Sequence, residues 1–87
     1  MIFKDKKINK EHRFSIGVEE MSGKYFVSIP VSNSYVDYEE YYEIDESQFQ
    51  LFYQNMELAL SFVKLCRERK KDHLLLQPPG DLRGEPM

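Results

Sequence analysis

The chain has 87 residues, 41% of them hydrophobic and 14% aromatic, and a formal net charge of −3. A domain of this size has one hydrophobic core and little room for a deep substrate cavity. The single cysteine, Cys66, excludes an intramolecular disulfide, and no apolar run is long enough for a membrane span or a signal peptide. We therefore expect one domain over residues 1–87, located in the cytoplasm.

The charges are unevenly distributed along the chain. Between Phe14 and Phe62 nine acidic residues are opposed by one base, Lys24. Lysines and arginines are concentrated in the flanking segments 4–13 and 64–71. This separation predicts two surfaces of opposite sign on one small molecule.

The first half of the chain has the alternating pattern of β-strands. Residues 1–11 are polar and lysine-rich, which predicts a flexible arm or an edge strand. Apolar residues then alternate from Phe14 and again from Tyr25 to Val31, and Gly23 lies between the two runs, so we predict a β-hairpin. Pro30 lacks an N–H, and its strand should lie near an edge or end its pairing early.

A third strand is predicted from Tyr35 to Ile44. Its inward face comprises Val36, Tyr38, Tyr42 and Ile44, and its outward face comprises Tyr35, Asp37, Glu39, Tyr41 and Glu43. The outward face is therefore acidic and aromatic.

The second half of the chain is predicted to be mainly helical. Asp45 and Gln48 form a capping box, and apolar residues at helical spacing continue from Phe49 to Cys66 and extend the helix to about Lys70. Asn55 leaves open whether one helix or two span this segment. Residues 73–77 predict a last strand, and residues 78–87 a flexible tail that contains proline and glycine. The predicted fold is α+β, with a small antiparallel sheet of three to four strands packed against one long or two consecutive helices.

No pattern in the sequence predicts a catalytic, cofactor-binding or metal-binding site. The two histidines, His12 and His73, are remote from each other and from Cys66, which lies on the apolar stripe of the helix and is expected to pack there. The four glycines are too scattered for a phosphate-binding loop, and no Gly-x-Ser-x-Gly motif is present. We expect a protein that is not an enzyme and has no cofactor.

The acidic, tyrosine-rich run predicts a surface that binds another protein. Tyrosine is enriched at interfaces, and clustered carboxylates attract a basic partner. The candidate partner-binding residues are Tyr35, Asp37, Glu39, Glu40, Tyr41 and Glu43. The same run is also compatible with a solvated charged strand. Phosphate repulsion argues against nucleic acid on this strand, and the helix pattern does not favour a membrane surface. Homodimerisation through an edge strand remains open.

The order of these segments resembles small bacterial immunity proteins of contact-dependent or polymorphic toxin systems. The resemblance is carried by Gly23-Lys24-Tyr25-Phe26-Val27-Ser28-Ile29-Pro30-Val31, by Val36-Asp37-Tyr38-Glu39-Glu40-Tyr41-Tyr42, and by the closing Leu74-Leu75-Leu76 and Arg83-Gly84-Glu85-Pro86. It implies a cytoplasmic protein that blocks the toxic domain of a secreted toxin, often a nuclease with a basic cleft. A generic interaction module, or a subunit of a larger assembly, is the alternative.

Overall fold

A computed structural model of the protein describes all residues from Met1 to Met87. Four antiparallel strands come first and two helices follow. The strands are β1 (Phe3–Asn9), β2 (Phe14–Glu19), β3 (Tyr25–Ser32) and β4 (Asp37–Ile44); the helices are α1 (Glu46–Gln54) and α2 (Leu60–Arg67), and a two-residue strand β5 (Glu85–Pro86) ends the chain. The predicted α+β fold is confirmed.

The sheet is a meander with the order β1-β2-β3-β4. Gly23 has a φ of 74°, a left-handed conformation that turns β2 into β3 without steric cost. Residues 1–11, predicted as an arm or an edge strand, form the edge strand β1, which carries a bulge between Asp5 and Lys7. Four of the five strands therefore precede the first helix in the sequence.

Pro30 lies in an interior strand, so the prediction of an edge position is wrong and the prediction of early-ending pairing is confirmed. β3 pairs with β4 along its whole length, but its pairing with β2 stops at Ser28. The missing N–H of Pro30 therefore interrupts no ladder. Beyond that point β5 pairs with Val31 and Ser32, and Met87 N–H donates to the Pro30 carbonyl at 3.1 Å.

The helical segment consists of two helices, which resolves the alternative that the sequence left open. The capping box starts α1: Gln48 N–H donates to Asp45 Oδ1 at 2.7 Å, and Asp45 N–H donates to Gln48 Oε1 at 3.0 Å. Asn55, with extended backbone angles, ends α1, and its side chain accepts from Glu57 N–H at the start of a 3₁₀ helix, Met56–Ala59. That 3₁₀ helix runs directly into α2.

Both helices cover one face of the sheet. The core on that side is built from alternate residues of the strands, such as Ile16, Val27 and Ile29, which pack with Phe52 and Val63 of the helices. These side chains are buried, and hydrophobic burial of this kind is the main stabilising contribution to a small fold. The other face of the sheet carries no helix.

The strand predicted over 73–77 is wrong. Residues Asp72–Leu74 form a 3₁₀ turn, after which Leu75 makes a single bridge with Tyr42, and Leu76 N–H donates to the Tyr41 carbonyl at 2.9 Å. Gln77 is followed by two prolines, which lack the N–H groups that a longer ladder needs. The predicted flexible tail contains β5, so its last residues are paired with the sheet.

Candidate protein-binding face

The helix-free side of the sheet, called the open face below, is the candidate site. Strand alternation and register place there the side chains that point away from the helices. Its members are Phe3, Asp5, Ile8, Ser15, Gly17, Glu19, Phe26, Ser28, Pro30, Ser32, Asp37, Glu39, Tyr41 and Glu43. Every strand of the meander contributes to it.

Four of the six predicted partner-binding residues lie together on this face. They are Asp37, Glu39, Tyr41 and Glu43, all on β4. Glu43 is paired at 3.6 Å with Lys24, which immediately precedes β3, whereas Asp37 and Glu39 have no cationic partner within 4.0 Å. Tyr35 lies outside the strand, in the turn before β4, and is 79% exposed.

Glu40 does not belong to the open face. It has the same alternation phase as Tyr38 and Tyr42, points toward the helices, and is only 7% exposed. Its carboxylate accepts from Arg83 at 2.8 and 3.2 Å and from the Tyr42 hydroxyl at 2.8 Å. Glu40 was predicted as a contact residue because all acidic residues of the run were assigned to one surface. Strand periodicity places Glu40 and Glu39 on opposite faces of the sheet.

Arg83 joins β4 to the end of the chain. It also donates two hydrogen bonds to Asp72, at 2.7 and 2.9 Å, and these lower the pKa of Asp72 from its ordinary value. The same bonds, with those to Glu40, raise the pKa of the guanidinium itself. Nearby, Gly84 N–H donates to the Tyr38 hydroxyl at 2.6 Å. This cluster of ion pairs has a structural role.

Three aromatic rings occupy the centre of the open face. Tyr41 stacks on Phe3 with ring centroids 3.7 Å apart, and both rings meet Phe26 edge-on, at 5.0 and 5.5 Å. Gly17 allows this packing, because a Cβ at that position would lie 2.7 Å from the Phe26 ring and would clash with the Lys4 carbonyl. Tyr41 is therefore held in place by packing within the protein.

Asp5 and Glu39 form a pair of like charges beside these rings. Burial raises the pKa of Asp5. Burial, and then the charge of Asp5, raise the pKa of Glu39. Burial and these two carboxylates also raise the pKa of Tyr41. Sequence reasoning missed Asp5, because only the β1–β2 register brings this residue of the lysine-rich segment toward β4.

Glu19 is an acidic residue of this face with a structural role. Its carboxylate accepts backbone N–H bonds from Ile2 at 2.7 Å, Met21 at 3.0 Å and Ser22 at 2.8 Å. Hydrogen bonding by the Ser22 side chain and by these backbone groups lowers its pKa to about 2. Glu19 thereby ties the N-terminus to the β2–β3 turn.

Several of the basic residues that the sequence singled out make structural contacts. Arg67 donates to the carbonyl oxygens of His12 and Arg13 at 2.6 and 3.1 Å, and Lys7 donates to the Tyr53 carbonyl at 2.7 Å. These bonds connect the helices to β1 and to the β1–β2 turn. Lys7 and Arg67, which belong to the basic flanking segments, therefore have structural roles that require no ligand.

The groups that could carry chemistry are dispersed. Cys66 is buried in the core, and burial raises the pKa of its thiol to about 12, so the nucleophilic thiolate is not formed at neutral pH. No group of three or more histidine, cysteine or carboxylate side chains is arranged to hold a metal ion. No helix of the structure is both long and apolar enough to cross a membrane.

Comparisons with protein-family models, with curated proteins and with solved structures find no match to this chain.

Proposed function

We propose that this chain is a noncatalytic binding protein whose open face docks a cationic surface of another protein. The observation that carries the proposal is the presence on one face of three carboxylates, Asp5, Asp37 and Glu39, that have no cation within 4.0 Å. Asp5 and Asp37 are exposed, whereas Glu39 is half-buried, and an unpaired charge partly withdrawn from water is unfavourable in the free protein. A partner that supplies the missing cations recovers this free energy on binding.

The aromatic residues of the same face support a protein partner. Tyr41 offers a rigid contact surface, and its ring is fixed by Phe3 before binding, so little side-chain entropy is lost on docking. The surrounding carboxylates accelerate encounter with a basic surface and select against an acidic one. A preformed aromatic centre with an acidic rim is a common arrangement for protein recognition.

In its specific form, the proposal is that the chain is an immunity protein acting in the cytoplasm on a cognate toxin domain. Support comes from the resemblance of the segments around Gly23–Val31 and Val36–Tyr42 to such proteins, and from the negative charge of the open face. A nuclease toxin has a cleft that binds phosphates, and the carboxylates of Asp37 and Glu39 would occupy the positions of those phosphates.

Co-purification with the product of the adjoining gene tests the proposal. Charge reversal at Asp37, Glu39 and Glu43 should abolish capture of a basic toxin domain. The same number of reversals on the helical side, at Glu46, Glu57 and Glu68, serves as the matched control. Retention of the toxin by the open-face variant would show that the partner binds elsewhere.

A generic interaction module is the second candidate, and a different surface favours it. Leu51, Tyr53 and Leu58 are exposed on the helical side, each between 44% and 49%. Each of these side chains offers apolar surface to a partner on the helical side. A toxin gene beside this one favours the immunity protein, and a metabolic operon favours the module.

The structure gives little support to homodimerisation through β1. That edge carries Lys4, Lys6 and Lys7 and the bulge at Asp5/Lys7, features that protect edges against pairing. We therefore propose that the protein acts as a monomer. Analytical ultracentrifugation measures the oligomeric state directly, and a dimer would contradict this.

A further inference from the structure

We propose that the outer edge of β4, the edge that faces away from β3, binds an extended basic segment of the partner as an additional antiparallel strand. The inference rests on the proposed function, because it states how a cationic protein attaches next to the open face. A strand added to a sheet edge gains affinity from main-chain hydrogen bonds, and its alternate side chains give selectivity.

Several backbone groups of this outer edge have no partner in the chain. Residues of an antiparallel strand direct their N–H and C=O groups to its two sides in turn. The Tyr41 carbonyl accepts from Leu76 N–H on the side away from β3. Asp37 and Glu39 share the phase of Tyr41, so they also direct their backbone groups outward. No backbone hydrogen bond outside the ladder with β3 involves either residue. The outer edge is therefore open from Asp37 to the N–H of Tyr41.

The chain itself begins an additional strand on this edge. Leu75 forms an antiparallel bridge with Tyr42, and Leu76 N–H donates to the Tyr41 carbonyl at 2.9 Å. The prolines at 78–79 lack N–H groups, and the pairing ends before them. The outer edge thus accepts an antiparallel strand at one end, and the chain leaves the rest of the edge unpaired.

A cleft separates the open part of the edge from the loop 77–82. Its volume is about 490 Å³, and it is lined by residues 38–41 of β4, by the loop and by Asn33. The loop begins after the bond of Leu76 to β4 and ends where the Asn33 side-chain amide donates to the Leu82 carbonyl at 2.8 Å. Before Leu82 the loop is exposed and makes no backbone hydrogen bonds. The loop therefore leaves room beside the edge.

The charges around the cleft favour a basic occupant. Its lining contains the carboxylates of Glu39, Glu40 and Asp81 and no lysine or arginine. Glu40 is paired with Arg83, whereas Glu39 and Asp81 have no cation within 4.0 Å. A segment with bases at alternate positions would place them on the side of Glu39 and Asp37, because alternate residues of a strand share a face.

A second copy of the chain fits this edge less well. Antiparallel pairing of β4 with β4 of another copy would bring their carboxylates together, and like charges on adjacent strands are destabilising. β1 is basic, but the bulge between Asp5 and Lys7 interrupts its ladder and protects it against pairing. The pairing of β4 with β3 is continuous from Asp37 to Ile44, so β4 has no such irregularity. The outer edge of β4 therefore selects a basic strand from a different protein.

Titration of the ¹⁵N-labelled full chain with the peptide acetyl-Arg-Val-Arg-Val-Arg-amide at low ionic strength tests the proposal. When its arginines lie on the side of Glu39, their backbone N–H groups point toward β4 and those of the valines point away. We expect a Kd below about 1 mM, and slower amide hydrogen exchange at Glu39 and Tyr41 in the complex. Methylation of the backbone nitrogen of the central arginine should weaken binding about tenfold, and methylation of one valine nitrogen less than about twofold.

A pair of substitutions at Glu39 tests the same hydrogen bonds from the side of the protein. Glu39→Gln removes the charge and keeps the N–H, whereas Glu39→Pro removes both. Glu39 lies opposite Pro30 with its N–H directed away from β3, so proline breaks no bond of the ladder. Glu39→Pro should bind the peptide about fivefold more weakly than Glu39→Gln. The amide spectrum reports whether the proline variant is folded; if it is not, the methylated peptides decide alone.

Three results would overturn strand addition. The first is no binding of the unmethylated peptide at about 1 mM. The second is an equal loss of affinity from the two methylations with unchanged exchange at Glu39 and Tyr41, which would show diffuse attraction. The third is self-association of the free chain in sedimentation that Glu39→Pro abolishes, which would assign the edge to a second copy. The proposed function fails separately, if charge reversal at Asp37, Glu39 and Glu43 leaves capture of the toxin unchanged.

Discussion

Removal of Arg83 should destabilise the fold because Glu40 would be left buried without its cation. Arg83→Met keeps most of the side-chain volume and deletes four hydrogen bonds, two to Glu40 and two to Asp72. The side chains of Arg83 and Glu40 are 14% and 7% exposed, and that of Asp72 is 39% exposed. Breaking a buried ion pair costs about 3–5 kcal/mol. Because water reaches Asp72, we expect the lower end, about 3 kcal/mol.

The measurement is urea unfolding followed by far-ultraviolet circular dichroism. Stability of roughly 4–13 kcal/mol is typical of a chain this long, so a loss of about 3 kcal/mol is readily measured. Neutralising the orphaned carboxylate with Glu40→Gln in the Arg83→Met background should restore about 1–2 kcal/mol. A loss below about 1 kcal/mol in the single variant, or no recovery in the double variant, would refute a buried ion pair at this position.

The pH dependence of the same variant checks the Asp72 part of the cluster. Hydrogen bonds from Arg83 hold the pKa of Asp72 below its ordinary value, so their contribution to stability is present above that ordinary value. It is lost as the pH falls through the lowered pKa. Arg83→Met should lack this acid-dependent component, and an unchanged acid limb would contradict the assignment.

Three further predictions concern the open face. Gly17→Ala should cost about 2 kcal/mol in urea unfolding, because the added Cβ meets the Lys4 carbonyl and the Phe26 ring; a neutral effect would contradict this close packing. The lowered pKa of Glu19 stabilises the parent protein at pH values above 4.5, the ordinary pKa of a glutamate, and this stability is lost as the pH falls toward about 2. Glu19→Gln should lack this pH-dependent component, and unchanged acid unfolding would contradict the assignment. A double-mutant cycle of Phe3→Leu and Tyr41→Leu should give a coupling of about 0.5–1.5 kcal/mol, whereas additive effects would contradict the ring stack.

The regular elements were largely predictable from local sequence patterns. Alternation at Phe14 and Tyr25, the glycine at the turn and the capping box of Asp45 specify structure within a few residues, and the structure contains the corresponding strands and helix. The segment 73–77 was predicted wrongly because three leucines are compatible with a strand, whereas the two prolines that follow limit its pairing to one bridge. The local sequence pattern alone does not show whether the leucines or the prolines determine the structure of this segment.

The candidate site was predictable only in part, because its composition depends on how distant strands pair. Strand alternation was sufficient to place Asp37, Glu39, Tyr41 and Glu43 on one face, and it also assigns Glu40 to the other. No local pattern shows that the ionic partner of Glu40 is Arg83, 43 positions later in the chain. The contribution of Asp5 likewise depends on the pairing of β1 and on a bulge within it. Contacts between distant segments therefore decide which acidic residues have an ionic partner within the chain.

The most direct test of the proposed function is the calorimetric affinity for the product of the adjoining gene, the proposed toxin. Replacement of Asp37, Glu39 and Glu43 by lysine should weaken binding at least about a hundredfold, because attraction to a basic surface becomes repulsion. The matched replacements at Glu46, Glu57 and Glu68 should change the affinity by no more than about threefold. Equal affinities of the two triple variants would contradict binding through the open face.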